Sequence, residues 1–174
     1  MPDLDELAKG LRLMIKDRKN DETIRLIEQV GVDRMIHDIG TPLSVACLFE
    51  NWEVATHCIE QGADVDARNS DGATPLHDAC KFGNLEVATL LVEKGAAINA
   101  KNTFARTPIA QAISFRLDAL DLIEFLLVHG ADPFVYEDYR PDDPRITTRT
   151  AYDFAKEELE DEQLVALLDR YATR

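Results

Sequence analysis

The side chains that most often carry chemistry are few in this sequence and are not spaced for it. No two histidines stand three or four residues apart, the spacing that would put two metal ligands on one helix face; they are His37, His57, His77 and His129. The chain also has no glycine-rich phosphate loop and no nucleophile elbow. We therefore predict no metal, no cofactor and no catalytic residue, so an enzyme is not expected.

The three cysteines, Cys47, Cys58 and Cys80, are odd in number and lie in stretches that are typical of helices. Disulfide frameworks pair cysteines in loops, so these thiols are better explained as small buried hydrophobic groups. The sequence has no basic and apolar leader and no apolar run long enough to span a membrane. These features predict a cytoplasmic protein with reduced cysteines.

The charge of the chain is strongly negative, with 33 acidic and 19 basic side chains and a formal net charge of -14. Phosphate backbones and anionic lipid surfaces would be repelled, so neither nucleic acid nor a membrane is the expected partner. One acidic cluster could imitate a polyanion in a basic groove, or could be a solvated helix face. Its members are Asp153, Glu157, Glu158, Glu160, Asp161 and Glu162.

The clearest pattern is an internal repeat. Thr-Pro-Leu or Thr-Pro-Ile occurs at 41–43, 74–76 and 107–109, at intervals of 33 residues. Gly-Ala pairs begin at Gly62, Gly95 and Gly130, at intervals of 33 and 35. The repeat therefore has a period of 33, and its last unit carries two extra residues, which we place in a longer turn near Phe115 to Asp118.

The repeat markers also predict where helices begin and end. Threonine before proline suits an N-cap followed by the first helical residue, and glycine can adopt the left-handed conformation that closes a helix. Each unit then contains two helices, and equivalent positions form columns of one buried core. The columns are Leu43, Leu76, Ile109, Tyr152; Ala46, Ala79, Ala112, Ala155; and Val54, Val87, Leu122.

The unit that runs from Asp71-Gly72-Ala73-Thr74-Pro75-Leu76-His77 to Gly95-Ala96 resembles the ankyrin repeat, closely so over residues 36–132. The resemblance implies an all-α solenoid of stacked helix-turn-helix units with β-turn fingers. We expect one domain over 1–174. Its parts are an N-terminal cap (1–35), repeats at 36–68, 69–101 and 102–136, and a long finger loop with a C-terminal cap (137–174).

The two caps are each predicted as a pair of helices. Their expected bounds are Leu4 to Lys16, Asp21 to Val30, Ala151 to Glu158 and Glu162 to Tyr171. In the last helix, the apolar spacing predicts that Leu164, Val165, Leu167 and Leu168 face inward.

In the ankyrin family a partner usually lies along the concave side, against the fingers and the inner face of the first helices. The positions that match are Asp38, Leu48, Phe49, Ser70, Asp71, Lys81, Phe82, Phe104, Arg106, Ser114 and Phe115. Phe49, Phe82 and Phe115 recur at intervals of 33, and this aromatic column is either contact surface or core.

The family resemblance implies a structural role for His77, which would bridge neighbouring turns through hydrogen bonds. Ser44, Ala110 and Asp153 stand at the equivalent positions of the other units and would lack that link.

The stretch 133–144 mixes aromatic and charged residues and is longer than a finger requires. It is either a contact surface that includes Phe134, Tyr136, Tyr139 and Arg140, or a tolerated surface insertion. The function expected is a monomeric, non-catalytic protein-interaction module, an adaptor or scaffold that binds another protein. The alternative is an acidic antidote that blocks a basic toxin or nuclease.

Overall fold

A computed structural model describes residues 4–36, 40–115, 119–137, 149–159 and 161–172. Within these ranges it describes the side chains except at 4–9, 136, 137, 149 and 172. The longer turn predicted near Phe115 to Asp118 lies mostly outside the described residues.

The regular secondary structure of the described residues is almost entirely helical, as predicted. Its helices are α1 (Leu4–Lys16), α2 (Asn20–Val30), α3 (Pro42–Leu48), α4 (Trp52–Glu60), α5 (Pro75–Lys81), α6 (Leu85–Glu93), α7 (Pro108–Phe115), α8 (Leu120–Val128), α9 (Ala151–Glu158) and α10 (Glu162–Ala172). Two short strands, β1 (Tyr136–Glu137) and β2 (Arg149–Thr150), pair antiparallel. None of these helices is both long and apolar enough to cross a membrane.

Short polar caps start the helices. Thr41 and Thr150 are N-caps whose hydroxyls accept the backbone N–H of Ser44 at 3.4 Å and of Asp153 at 3.0 Å. The second helices of two repeats begin differently, because Asn51 and Asn84 accept the N–H groups of Val54 and Val87. Both kinds of cap satisfy backbone donors that the first helical turn leaves free.

The helices stack in two layers. The first helices of successive pairs, α1, α3, α5, α7 and α9, contact one another in order, and α2, α4, α6, α8 and α10 form the second layer in the same way. The predicted alanine column is buried in the first-helix layer, where Ala46, Ala79, Ala112 and Ala155 are all 0% exposed. Small side chains at these positions let neighbouring helices approach closely.

Two burial predictions fail at the C-terminal end of the stack. Tyr152 continues the fully buried column of Leu43, Leu76 and Ile109, yet it is only half-buried, and its hydroxyl donates to Asp169 Oδ1 at 2.7 Å. Val165 is also half-buried, whereas Leu164, Leu167 and Leu168 are buried as predicted. Among the first helices that the structure describes, α9 packs mainly on α7.

The alanine column gives the first test. We expect Ala79→Leu to lower the free energy of unfolding by ~1–3 kcal/mol, because the added methylenes have no space between α5 and its neighbours. Ala166→Leu, at an exposed position of α10, makes the same chemical change and should have little effect. Urea denaturation of both variants measures the difference, and equal stabilities would contradict the assigned packing.

Candidate protein-binding surface

One side of the first-helix layer points away from the second helices. On α5, Leu76 is buried in the core, and Asp78, two residues later, lies about 200° further around the helix. Lys81 and Phe82 lie on either side of Asp78 around the helix axis. We use the name first-helix face for this side of α3, α5 and α7 together with the fingers, the turns that precede them.

The fingers are tied to one another by hydrogen bonds. Thr103 donates from its backbone N–H at 2.9 Å and from its hydroxyl at 2.7 Å to the carbonyl oxygen of Asp71, one repeat earlier. Arg68 Nη1 donates to the carbonyl oxygens of Gly72 and Lys101, both at 2.7 Å. The exposed finger residues are therefore held in place before any partner binds.

A further ladder crosses the bases of the fingers. Asp33 Oδ1 accepts the N–H of Asp64, Asp66 Oδ1 accepts that of Ala97, and Asn99 Oδ1 accepts that of Asp132, each at 2.9 Å. The three acceptors stand 33 residues apart, so the repeat spacing contained a signal for them that the search for chemical groups missed.

The aromatic column is part core and part surface. Phe49 and Phe82 are half-buried, Phe49 against the core and Phe82 against the ring of Trp52, whereas Phe115 is 51% exposed. Lys81 Nζ lies 5.2 Å from the centre of the Phe82 ring and 5.6 Å from that of Phe115, within the range of cation–π attraction. The structure thus gathers Lys81, Phe82 and Phe115 into one group across the junction of α5 and α7.

The predicted contact residues fall into four groups. Exposed are Ser70, Asp71, Phe104, Phe115 and Phe134; half-buried are Leu48, Phe49, Lys81, Phe82, Arg106 and Ser114. Tyr136 lies in β1, with its side chain outside the described ones, and Asp38, Tyr139 and Arg140 lie outside the described residues. Phe134 does not join the α5–α7 group, because its ring packs on Tyr152 with the ring centres 5.0 Å apart.

His77 bridges neighbouring repeats, as the family resemblance implied. Its Nδ1 accepts the backbone N–H of Thr74 at 3.1 Å, so the proton is on Nε2, which donates to the carbonyl oxygen of Arg106 at 2.9 Å. Burial lowers the pKa of this imidazole to about 4. At the equivalent positions, Ser44 bonds to Thr41 and Asp153 to Thr150, each within its own turn.

Asp78 is the residue on this face that sequence reasoning missed. It is 5% exposed, and burial raises the pKa of its carboxyl to about 7, although the nearby Lys81 ammonium lowers it and Asp71 raises it further. Its Oδ2 atom has no hydrogen-bond partner in the described structure. The available signal was a charged residue in a column that has Val45 one repeat earlier and Gln111 one repeat later.

The three thiols are free and buried, as predicted. Burial raises the pKa of Cys58 to about 12, and it also raises the pKa values of Cys47 and Cys80, where the charge of Asp78 adds to the effect. The thiols remain protonated at neutral pH, which makes them poor nucleophiles. No group of three metal-ligating side chains occurs in the residues that the structure describes.

Part of the acidic cluster serves the fold. Asp153 Oδ2 accepts from the N–H and hydroxyl of Thr150, at 3.0 and 2.8 Å, which completes the cap of α9. Asp161 Oδ1 accepts the N–H groups of Gln163 and Leu164 at the start of α10. Glu160 lies outside the described residues. Two of the six carboxylates are therefore helix caps.

The family model for ankyrin repeats in three copies matches the chain over residues 11–102 and again over 43–137. The chain belongs to the ankyrin-repeat family, and the stacked helix pairs are an ankyrin solenoid. Ankyrin repeats generally mediate protein–protein interaction, and the family is typically non-enzymatic. No curated protein sequence matches the chain.

The two adjacent titratable groups of α5 predict opposite pH dependences. His77 has a pKa of about 4 in the fold and an ordinary value of 6.5, so its contribution to stability is lost as the pH falls from 6.5 to 4. Asp78 has a pKa of about 7 against an ordinary value of 3.8, so its contribution is lost as the pH rises from 3.8 to 7. In the native protein the two effects largely cancel between pH 4 and 6.5.

Single substitutions should expose each effect. At each pH the free energy of unfolding of a variant is compared with that of wild type. From pH 4 to 6.5 we expect this difference to rise by roughly 3 kcal/mol for Asp78→Asn and to fall for His77→Gln. Chemical denaturation at several pH values measures the profiles, with the exposed Asp121→Asn as a control. Variant profiles that run parallel to the wild-type profile would rule out these assignments.

Proposed function

We propose that this chain is a non-catalytic adaptor or scaffold that binds a protein partner on the first-helix face and the adjoining fingers. The observation that carries the proposal is the exposed aromatic group around Lys81 at the α5–α7 junction, with Phe115 51% exposed and Phe104 also 51% exposed on the preceding finger. Aromatic side chains, Phe among them, are enriched at the buried centres of protein interfaces.

Preorganisation supports the same proposal. The fingers that carry Asp71 and Phe104 are cross-linked through Thr103 and Arg68, so little conformational entropy remains to be lost when a partner docks. A surface that spans three repeats is large enough for an interface of ~800 Å² per partner. The net charge of -14 disfavours nucleic acid and anionic membranes as partners.

The remaining expectations complete the proposal. We infer one domain with helix pairs before and after the three repeats as its caps, a monomer in solution and a cytoplasmic location. Residues 134–144 are proposed as an additional contact segment, which includes Phe134, Tyr136, Tyr139 and Arg140. The caps that Asp153 and Asp161 provide favour an adaptor over a polyanion mimic, because those two carboxylates already have partners within the fold.

The test compares two exposed apolar positions, one on the first-helix face and one outside it. Phe115→Lys changes that face, whereas Leu13→Lys changes a site that is 59% exposed on α1. Affinity capture from a lysate of the source organism, read by mass spectrometry, should recover one partner with wild type and Leu13→Lys but not with Phe115→Lys. Circular dichroism checks that both variants are folded.

Equal recovery with both variants would contradict the assigned face. The absence of any partner with the wild-type chain would count against an interaction module of any kind. Light scattering of the purified chain tests the monomer separately, because a mass that increases with concentration would contradict it.

A further inference from the structure

Two acceptor atoms without donors occupy equivalent positions of consecutive repeats on the first-helix face. Asp78 and Gln111 occupy the same position of consecutive repeats, on α5 and α7, where the repeat before has the fully buried Val45. Asp78 Oδ2 and Gln111 Oε1 are both buried, and neither has a hydrogen-bond partner in the described part of the chain. These helices are direct neighbours in the stack.

The two atoms cannot satisfy each other while the Asp78 carboxyl is ionised, the state that prevails above its pKa of about 7. A carboxylate oxygen and an amide oxygen both accept hydrogen bonds and donate none. Buried polar atoms in folded proteins almost always have partners, and an unpaired one is destabilising because it has lost its bonds to water. The described part of the chain therefore supplies no donor to either atom, and a donor would have to come from elsewhere.

Lys81 is a cation whose charge acts on the Asp78 carboxyl, but it does not fill this role. Its ammonium group lies over the rings of Phe82 and Phe115, at 5.2 and 5.6 Å from their centres, and makes no hydrogen bond to Asp78 Oδ2. Burial outweighs the effect of Lys81 on the carboxyl, whose pKa is about 7, and Asp71 is the other charged group that acts on it. A second cation would be attracted to this carboxyl.

The surroundings select one kind of cation. A guanidinium group has five N–H donors in one plane, so it can serve two acceptors at once while its face stacks on an aromatic ring. Phe82 follows Asp78 by four residues, and Phe115 follows Gln111 by four, so each acceptor has a ring one helical turn away. Gln111 and Lys81 are both half-buried, and the flexible stem of Lys81 allows its ammonium group to move.

We propose that Asp78 and Gln111 form an acceptor pair that receives an arginine side chain of the partner protein, with the rings of Phe82 and Phe115 beside its guanidinium. The inference rests on the proposed function and names the partner chemistry of the same face. Lys81 holds the aromatic rings in the free protein and moves aside when the arginine enters. The acceptor pair is thus a specificity-determining site, incomplete until a partner binds.

The proposal predicts that stability and binding separate at one residue. Asp78→Val places the side chain of the preceding repeat at this position and removes the unpaired carboxyl. This variant should therefore unfold at a higher temperature than wild type, yet bind an arginine-bearing ligand more weakly. A merely structural carboxyl would not give these opposite effects.

The experiment uses a library of short random peptides displayed on phage, which is selected in parallel against the folded full-length wild type and Asp78→Val. Arginine at one fixed position should be enriched among the wild-type binders alone. A peptide from that set is then synthesised twice, with arginine or with citrulline, which keeps the shape of the side chain but removes its charge. Calorimetry measures both peptides against wild type, Asp78→Asn and the exposed control Glu86→Gln.

We expect citrulline to weaken binding to wild type and to Glu86→Gln by about 30-fold or more, and to Asp78→Asn by no more than about twofold. Binders without a fixed arginine, or an equal loss on all three proteins, would overturn the acceptor pair while leaving the proposed face intact. If no peptide is enriched on wild type, or if binding survives Phe115→Lys unchanged, the first-helix face itself is wrong and the inference falls with it.

Discussion

The close approach of consecutive first helices is the constraint on which the rest of this structure depends. Ala46, Ala79, Ala112 and Ala155 have no exposed surface, and larger side chains there would push the repeats apart. At this separation the side-chain oxygens of Asp33, Asp66 and Asn99 reach the following repeat and accept its backbone N–H groups. The hydrogen bonds that fix the exposed fingers therefore depend on small residues in the core.

The sequence predicted the helices well because their signals are local. A threonine before proline identifies the start of a helix without knowledge of the neighbours, and α3, α5 and α7 begin at Pro42, Pro75 and Pro108. Burial at Tyr152 and Val165 was harder to predict, since it depends on what covers the last repeat. Glu50 shows another limit: it adopts a φ of 55° where the next repeat has Gly83. No local pattern announced that a non-glycine residue would occupy this conformation.

The candidate site was predictable in position but not in chemistry. The spacing of Phe49, Phe82 and Phe115 located the aromatic column. The exposure of each ring, however, depends on neighbours such as Lys81 and Trp52, and the ring centres of Trp52 and Phe82 are 6.2 Å apart. Asp78 was passed over because a single acidic residue in a helix is usually solvated. Only three-dimensional packing reveals that this carboxyl is buried, and only then does the absence of a donor become informative.

The imidazole of His77 occurs in one repeat, so the link from its Nε2 to the carbonyl of Arg106 strengthens the α5–α7 junction alone. In a solenoid, each repeat is coupled only to its neighbours, and local openings begin where that coupling is weakest. Ser44 bonds to Thr41 within its own turn and Ala110 has no polar side-chain atom, so openings are expected to begin away from the α5–α7 junction. The surface that contains Lys81, Phe82 and Phe115 spans the reinforced junction. A bound partner would therefore stay attached while the terminal helices open and close. The lifetime of the complex would not depend on how often the ends of the chain unfold.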